Sequence, residues 1–342
     1  MTSQQTPDKR LEVVEFLKGF AIFTIVVMHY LMPLSLPGPV RTVLPAGGAG
    51  VHLFIVLSGF GLYLSQLRRP STAGQFLGRR FSRVYLPYLA TVTAIAAVSA
   101  VTQLYAGSWS AFLGHVFLFK MFDESIVGSY GYHLWFLSTI FQLYLAFPFL
   151  VNVKSRVSDA VFLALGITVS LGWILVVYCS GHGETRIWNS FFLGYLWEFN
   201  AGMLLAQYAM AKPSAADSIP SVALIAAAII GGASYGALAT GLGGLGKLIN
   251  DFPGVIGYGA VGLLAFRFSP GPVRRFFVLT GLASYPLYLI HMFVFDVAAT
   301  LASAYGVALG IPLVALIFAA AWLFARLLQR PFAKLGARAT GA

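Results

Sequence analysis

Lys18 and His29 enclose ten residues, Gly-Phe-Ala-Ile-Phe-Thr-Ile-Val-Val-Met, that suit only a protein core or a bilayer. Eleven helical steps return a side chain to within about 20° of its starting direction. The two residues therefore form one polar stripe on an apolar helix, ~16 Å apart along its axis. That is roughly half the hydrocarbon thickness of a membrane. An ionisable group at such depth is costly and marks a working site by default. A neutral imidazole there suits the removal of a proton from a hydroxyl, because its pKa lies near working pH. The plain alternative for His29 is a histidine hydrogen-bonded between helices.

Other residues add to this pattern. His52 enters the second apolar segment at a depth similar to that of His29. The turn before the third segment carries Arg68, Arg69, Arg79, Arg80 and Arg83 without a lysine. Arginine guanidinium groups suit bidentate capture of phosphate oxygens, and Arg80 and Arg83 are spaced to share a helix face. Topology alone also accounts for the arginine count. Glu198, Asp296 and His291 lie inside apolar segments, where a carboxylate or imidazole can pair internally or meet a substrate. Asp296, near a segment end, reads as structural. Ser58, Gly59 and Gly61 read as packing residues. Gly-Leu-Gly-Gly-Leu-Gly-Lys at 241–247 imitates a phosphate loop, but Leu248 follows the lysine and no strand precedes it. It is expected to be a flexible connector.

The elements that must position these groups follow from composition. The 342 residues are 58% hydrophobic and 10% charged, against about 25% charged in a soluble domain. Ten apolar stretches, near 15–35, 48–67, 84–106, 132–152, 159–179, 190–210, 219–240, 253–268, 277–301 and 306–328, are each long enough to span a bilayer as helices. The expected fold is an all-α integral membrane protein of about ten transmembrane helices. Threading the spans with the N-terminus inside puts 17 of the 22 lysines and arginines inside and four outside. This bias predicts cytoplasmic N- and C-termini. The expected division is a cytoplasmic segment 1–14, a membrane domain 15–328 and a short basic tail 329–342. The first span is expected to stay uncleaved, and the stretch 107–131 to hold an interfacial or re-entrant segment. The net charge of +11 fits loops facing anionic lipid rather than nucleic acid. One cysteine, Cys179, excludes an internal disulfide and a cysteine-based metal cluster.

Together these pieces resemble the acyltransferase family 3 membrane proteins, which O-acylate sugars. Lys18 and His29 fit the family's basic-x10-His pattern, and Gly50-Val-His-Leu-Phe-Ile-Val-Leu-Ser-Gly-Phe its second-helix signature. Arg80-Phe-Ser-Arg83 with Val-Tyr-Leu-Pro-Tyr fits its RxxR segment. His133-Leu-Trp-Phe-Leu-Ser with Gln142-Leu-Tyr, Ser284-Tyr-Pro-Leu-Tyr-Leu-Ile-His291 and Arg330-Pro-Phe fit its later blocks. Lys18 stands where many members have arginine, which keeps charge but not the bidentate fork. Ile140 and Phe141 stand where one branch has glutamates.

The resemblance implies a plasma (inner) membrane enzyme using cytosolic acyl-CoA, commonly acetyl-CoA, and no metal. Its acceptor would be a hydroxyl of a cell-surface or exported glycan or a lipid-linked sugar. His29 would be the catalytic base, with Lys18 beside it in the motif. Lys18, Arg80 and Arg83 would hold the CoA phosphates. His52, Glu198, His291 and Trp135 are expected at the acceptor. Some relatives carry an additional extracytoplasmic hydrolase-like domain; without one, direct delivery to the acceptor is expected. Two other readings stay open: a transporter or flippase for a glycolipid or small anion, and an acyltransferase for a non-sugar small molecule.

Overall fold

The structure, a computed structural model, describes residues 9–105, 107–212 and 218–338. Residues 1–8 of the expected N-terminal segment and 339–342 of the expected tail lie outside the described residues. The longer helices are α1 (Lys9–Leu31), α2 (Gly50–Arg68), α3 (Ala73–Thr102), α4 (Trp135–Lys154), α5 (Asp159–Cys179) and α6 (Leu196–Ala211). They continue as α7 (Ser221–Gly241), α8 (Asp251–Phe268), α9 (Gly271–Leu282), α10 (Ser284–Ala304) and α11 (Ile311–Arg338). No strand occurs among the described residues. The molecule is an all-α membrane protein.

Among the described residues, eight helices are long and apolar enough to cross a bilayer. The count becomes nine if Gly243–Ile249 and α8, bent by 45° at their junction, form one span. This is fewer than the ten expected, and the difference has local causes. In the stretch 190–210, Phe192–Tyr195 winds as a tighter turn and leaves α6 only 16 residues, about 24 Å of helix. The stretch 253–268 counts as a span only together with Gly243–Ile249, whereas 277–301 keeps its span in α10, shifted to start after the break at Ala283.

Three further boundaries move. α3 starts at Ala73, because Thr72 and Gln75 form a reciprocal capping box. Arg79, Arg80 and Arg83 therefore lie on a helix and not in a turn. α11 continues through Pro331 to Arg338, past the expected end at 328. The glycine-rich stretch 241–247 is no flexible connector, since Gly243–Ile249 is helical.

Close backbone contacts set the helices around α1 and α2. A Cβ at Gly19 would lie 1.8 Å from the Phe277 carbonyl oxygen, and one at Gly281 1.8 Å from that of Glu15. α1 and α9 therefore touch through their backbones. Gly59 and Gly202 do the same for α2 and α6, with Phe199 and Val56 carbonyls 2.2 and 2.0 Å from the missing Cβ atoms. Small residues permit this approach in a bilayer, where packing rather than hydrophobicity drives helix association. Ile22, Val26 and Tyr30 of α1 join Tyr88, Val92 and Leu287 in one core. Ile55 and Leu62 of α2 join Leu143, Phe147, Phe199 and Met203 in a second. Leu145, Phe149, Ile229, Ile230, Leu316 and Leu327 point outward, as lipid-facing side chains do.

The stretch 107–131 folds onto the bundle. Ser108 caps the short helix Trp109–Val116. The Tyr88 hydroxyl reaches His115 Nδ1 at 2.6 Å, and His115 Nε2 lies 2.9 Å from Ser129 Oγ. Lys120 is fully buried, and its Nζ has no hydrogen-bond partner. Burial pushes its amine down to about 7. An unfolded lysine keeps its proton up to about pH 10.4. The unfolded chain thus binds more protons between these values, and stability rises with pH across that window. Below it the whole penalty is present. Lys120→Met is expected to stabilise the protein at pH 7 by about 1–3 kcal/mol, the usual cost of an unsatisfied buried polar group. It should also flatten the rise in melting temperature between pH 7 and 10. Detergent-phase thermal melts read both effects, and an unchanged pH profile would contradict this account of Lys120.

Candidate active site

A cavity of about 1040 Å³ runs between the two cores. Lys18, Arg80, Ser284 and Tyr285 line it from the N-terminal halves of α1 and α3 and the start of α10. Glu184, Arg186, Lys247 and Asp251 line the opposite end. His29, His52, His133 and His291 lie on its wall between these groups. Cations thus stand at one end, imidazoles along the path, and a mixed-charge rim at the other end.

α1 places both members of the opening pair on this cavity, as their spacing requires. Lys18 Nζ pairs with Glu15 Oε1 at 2.9 Å, one helical turn earlier. Its charge is therefore shared with a carboxylate. His29 Nδ1 lies 3.0 Å from His291 Nε2, and the two rings meet edge to edge and nearly coplanar, with centroids 5.2 Å apart and planes 8° apart. α10 brings His291 here from 262 residues away. The ring of His133 stands edge-on to His291 at 4.5 Å.

The second helix builds a different cluster. His52 Nδ1 is 2.8 Å from Glu198 Oε1, and its Nε2 is 3.0 Å from Asp251 Oδ1. One imidazole thus bridges a carboxyl group of α6 and one of α8. Glu198 is fully buried and sits behind His52, off the cavity wall. The Gly59–Gly202 contact holds α2 against α6 and so sets this distance. Trp135 opens α4 on the cavity, with the Arg186 guanidinium 4.7 Å above its ring. The Arg186 Nε donates to the Tyr132 hydroxyl at 2.7 Å, and Glu124 accepts the backbone N–H groups of Arg186 and Ile187.

The expected site residues therefore divide. Lys18, His29, His52, Arg80, Trp135 and His291 all line the one cavity. Glu198 reaches it only through His52, and Arg83 lies off it. Three helical steps are about 300°, and the wall ends between Arg80 and Arg83. Arg80 turns inward over the Phe76 ring at 5.9 Å. Arg83 is exposed and packs against Gly336 of α11. Asp296 accepts the Tyr105 hydroxyl. His133 and Asp251 went unassigned in the sequence. His133 opens the His-Leu-Trp-Phe-Leu-Ser block, and Asp251 is an acid at a glycine-rich break; nothing else in the sequence marks them. Among the described residues no group of His, Cys, Asp or Glu is arranged to hold a metal ion.

A family model described as an acyltransferase domain matches residues 11–326. No curated protein and no solved structure matches the chain. The matched region runs from α1 into α11 and contains every residue on the cavity wall. The family assignment favours acyl transfer over transport as the work done there. The chain belongs to acyltransferase family 3, and it is a multi-pass membrane acyltransferase.

Proposed function

We propose that the protein transfers an acyl group, acetyl in the simplest case, from acyl-CoA to a hydroxyl of a cell-surface or exported glycan. The observation that carries this reading is the single cavity with Lys18 and Arg80 at one end and His29 along its wall. CoA bears phosphates, and the two cations suit their capture. A thioester is already activated, so transfer needs a base, proximity and charge stabilisation rather than an acyl-enzyme. In this reading His29 takes the hydroxyl proton as the oxygen attacks the thioester carbonyl. The carbon–sulfur bond breaks, and the departing thiolate takes the proton back.

Lys9 and Arg10 before the first span and the five arginines between the second and third, against Arg41 alone between the first and second, support a cytoplasmic N-terminus. The donor would then enter at the Lys18 end from the cytosol, in the plasma (inner) membrane. The acceptor would arrive at the rim of Trp135, Arg186 and Asp251. His52 and Glu198 would support that rim from behind.

Expression in a glycan-producing host, with surface O-acetyl ester as the readout, tests the reaction. No ester above the vector control at normal protein level would refute it. The two arginines give a sharper test. Arg80→Ala is expected to raise the KM for acetyl-CoA by about tenfold, the scale of one charge-assisted hydrogen bond. Arg83→Ala should leave it within about twofold. Equal effects of the two variants would remove the distinction drawn from the cavity wall.

A further inference from the structure

The two nitrogens of His291 have different partners. Its Nδ1 lies 2.9 Å from the Tyr288 carbonyl oxygen and 3.1 Å from that of Leu287. A carbonyl only accepts, so Nδ1 carries a proton. The other nitrogen, Nε2, faces Nδ1 of His29 at 3.0 Å. The ring is fully buried. The titratable groups facing it are His29 of α1, His133 of the 132–134 turn, Tyr30 and Tyr288. The Tyr30 hydroxyl donates to the His291 carbonyl, and the Tyr288 hydroxyl to that of His133. No carboxylate among these neighbours offsets a second proton, which would leave an uncompensated charge in the interior. Neutral His291 thus presents a lone pair at Nε2. The proton in the shared bond must come from His29 Nδ1, and a neutral His29 then has its own lone pair at Nε2.

We infer that His291 is a positioning residue: it fixes His29 in the Nδ1–H tautomer and leaves Nε2 as the atom that takes the acceptor's proton. This rests on the proposed role of His29 as base. The acceptor's O–H proton moves to Nε2 as the new carbon–oxygen bond forms. Nδ1–H stays donated to His291 while His29 carries both protons. The carbon–sulfur bond then breaks, and the thiolate removes the Nε2 proton, which regenerates the starting tautomer. His291 therefore acts on the reaction through His29 without contacting the acceptor, in contrast to the expectation from sequence.

The test uses the full chain labelled with 15N-histidine in phosphatidylethanolamine–phosphatidylglycerol vesicles. Solid-state NMR reads which nitrogen of His29 is protonated, with its signals assigned by their loss in His29→Gln. The expected wild-type result is a proton on Nδ1 and none on Nε2. His291→Leu should abolish that state, and His291→Gln, whose amide oxygen can accept, should restore it. Surface acetyl ester should fall about a hundredfold in His291→Leu, the low end for general-base catalysis, and recover at least tenfold in His291→Gln at matched protein level. A wild-type proton on Nε2, or a tautomer unmoved by His291→Leu, overturns the proposal. If wild type forms no ester yet shows the Nδ1–H tautomer that His291→Leu removes, the acyl-transfer reading fails and the assignment of His291 to the tautomer stands.

Discussion

Replacing His29 with alanine is expected to lower ester formation by about 10²- to 10⁴-fold, the range that a positioned general base contributes. Acetyl-CoA binding should be unchanged, because Lys18 stands ~16 Å away at the other end of the helix stripe, and Arg80 belongs to another helix, α3. The structural cost should be small. His29 is part-exposed to the cavity, and its partner His291 keeps its two carbonyl contacts. The informative measurement is therefore a split: kcat collapses while donor KM and melting temperature hold. If His29→Ala retains full activity at normal protein level, proton removal belongs to another residue. A fall in donor affinity of the same size as the fall in rate would make His29 a binding residue.

The second large effect concerns stability. His52→Leu is expected to cost about 3–5 kcal/mol, because it strands a buried carboxyl group without its partner. Glu198 is fully buried and loses its 2.8 Å contact to His52, while its second oxygen already lacks a hydrogen bond. Asp251, partly open to the cavity, can turn to water and should suffer less. Adding Glu198→Met should therefore recover much of the loss, since apolar replacement of both partners of a buried pair is often neutral. Thermal melts of the single and double variants, compared as a cycle, measure this coupling. Additive effects would show that the two side chains are independent.

Part of this architecture is written in local sequence. Hydropathy and length identify the helices because a bilayer leaves the backbone no other way to satisfy its polar groups. Where the expected spans fail, the cause is short-range geometry that hydropathy does not carry. Phe192–Tyr195 is apolar, yet it winds as a tighter turn and shortens α6, and the apolar Ala283 only moves the start of the span that α10 forms. The capping box at Thr72 was written in the sequence and would have moved the start of α3. The pairing of Lys18 with His29 on one stripe was legible because both lie on one helix, where spacing alone fixes direction. The pairing of Arg80 with Arg83 was misleading for the complementary reason. A shared helix face says nothing about where a cavity wall ends, and that limit is set by α11 packing on Arg83.

The sequence by itself determined the helical membrane class and the Lys18–His29 stripe, since each depends on residues near one another in the chain. Only the tertiary structure decided that His291 serves His29 and that Glu198 and Asp251 hold His52. Those contacts join helices separated by 146 to 262 residues. Their distances are set by glycine-mediated backbone packing, and no periodicity along a single helix records which neighbour will lie across it.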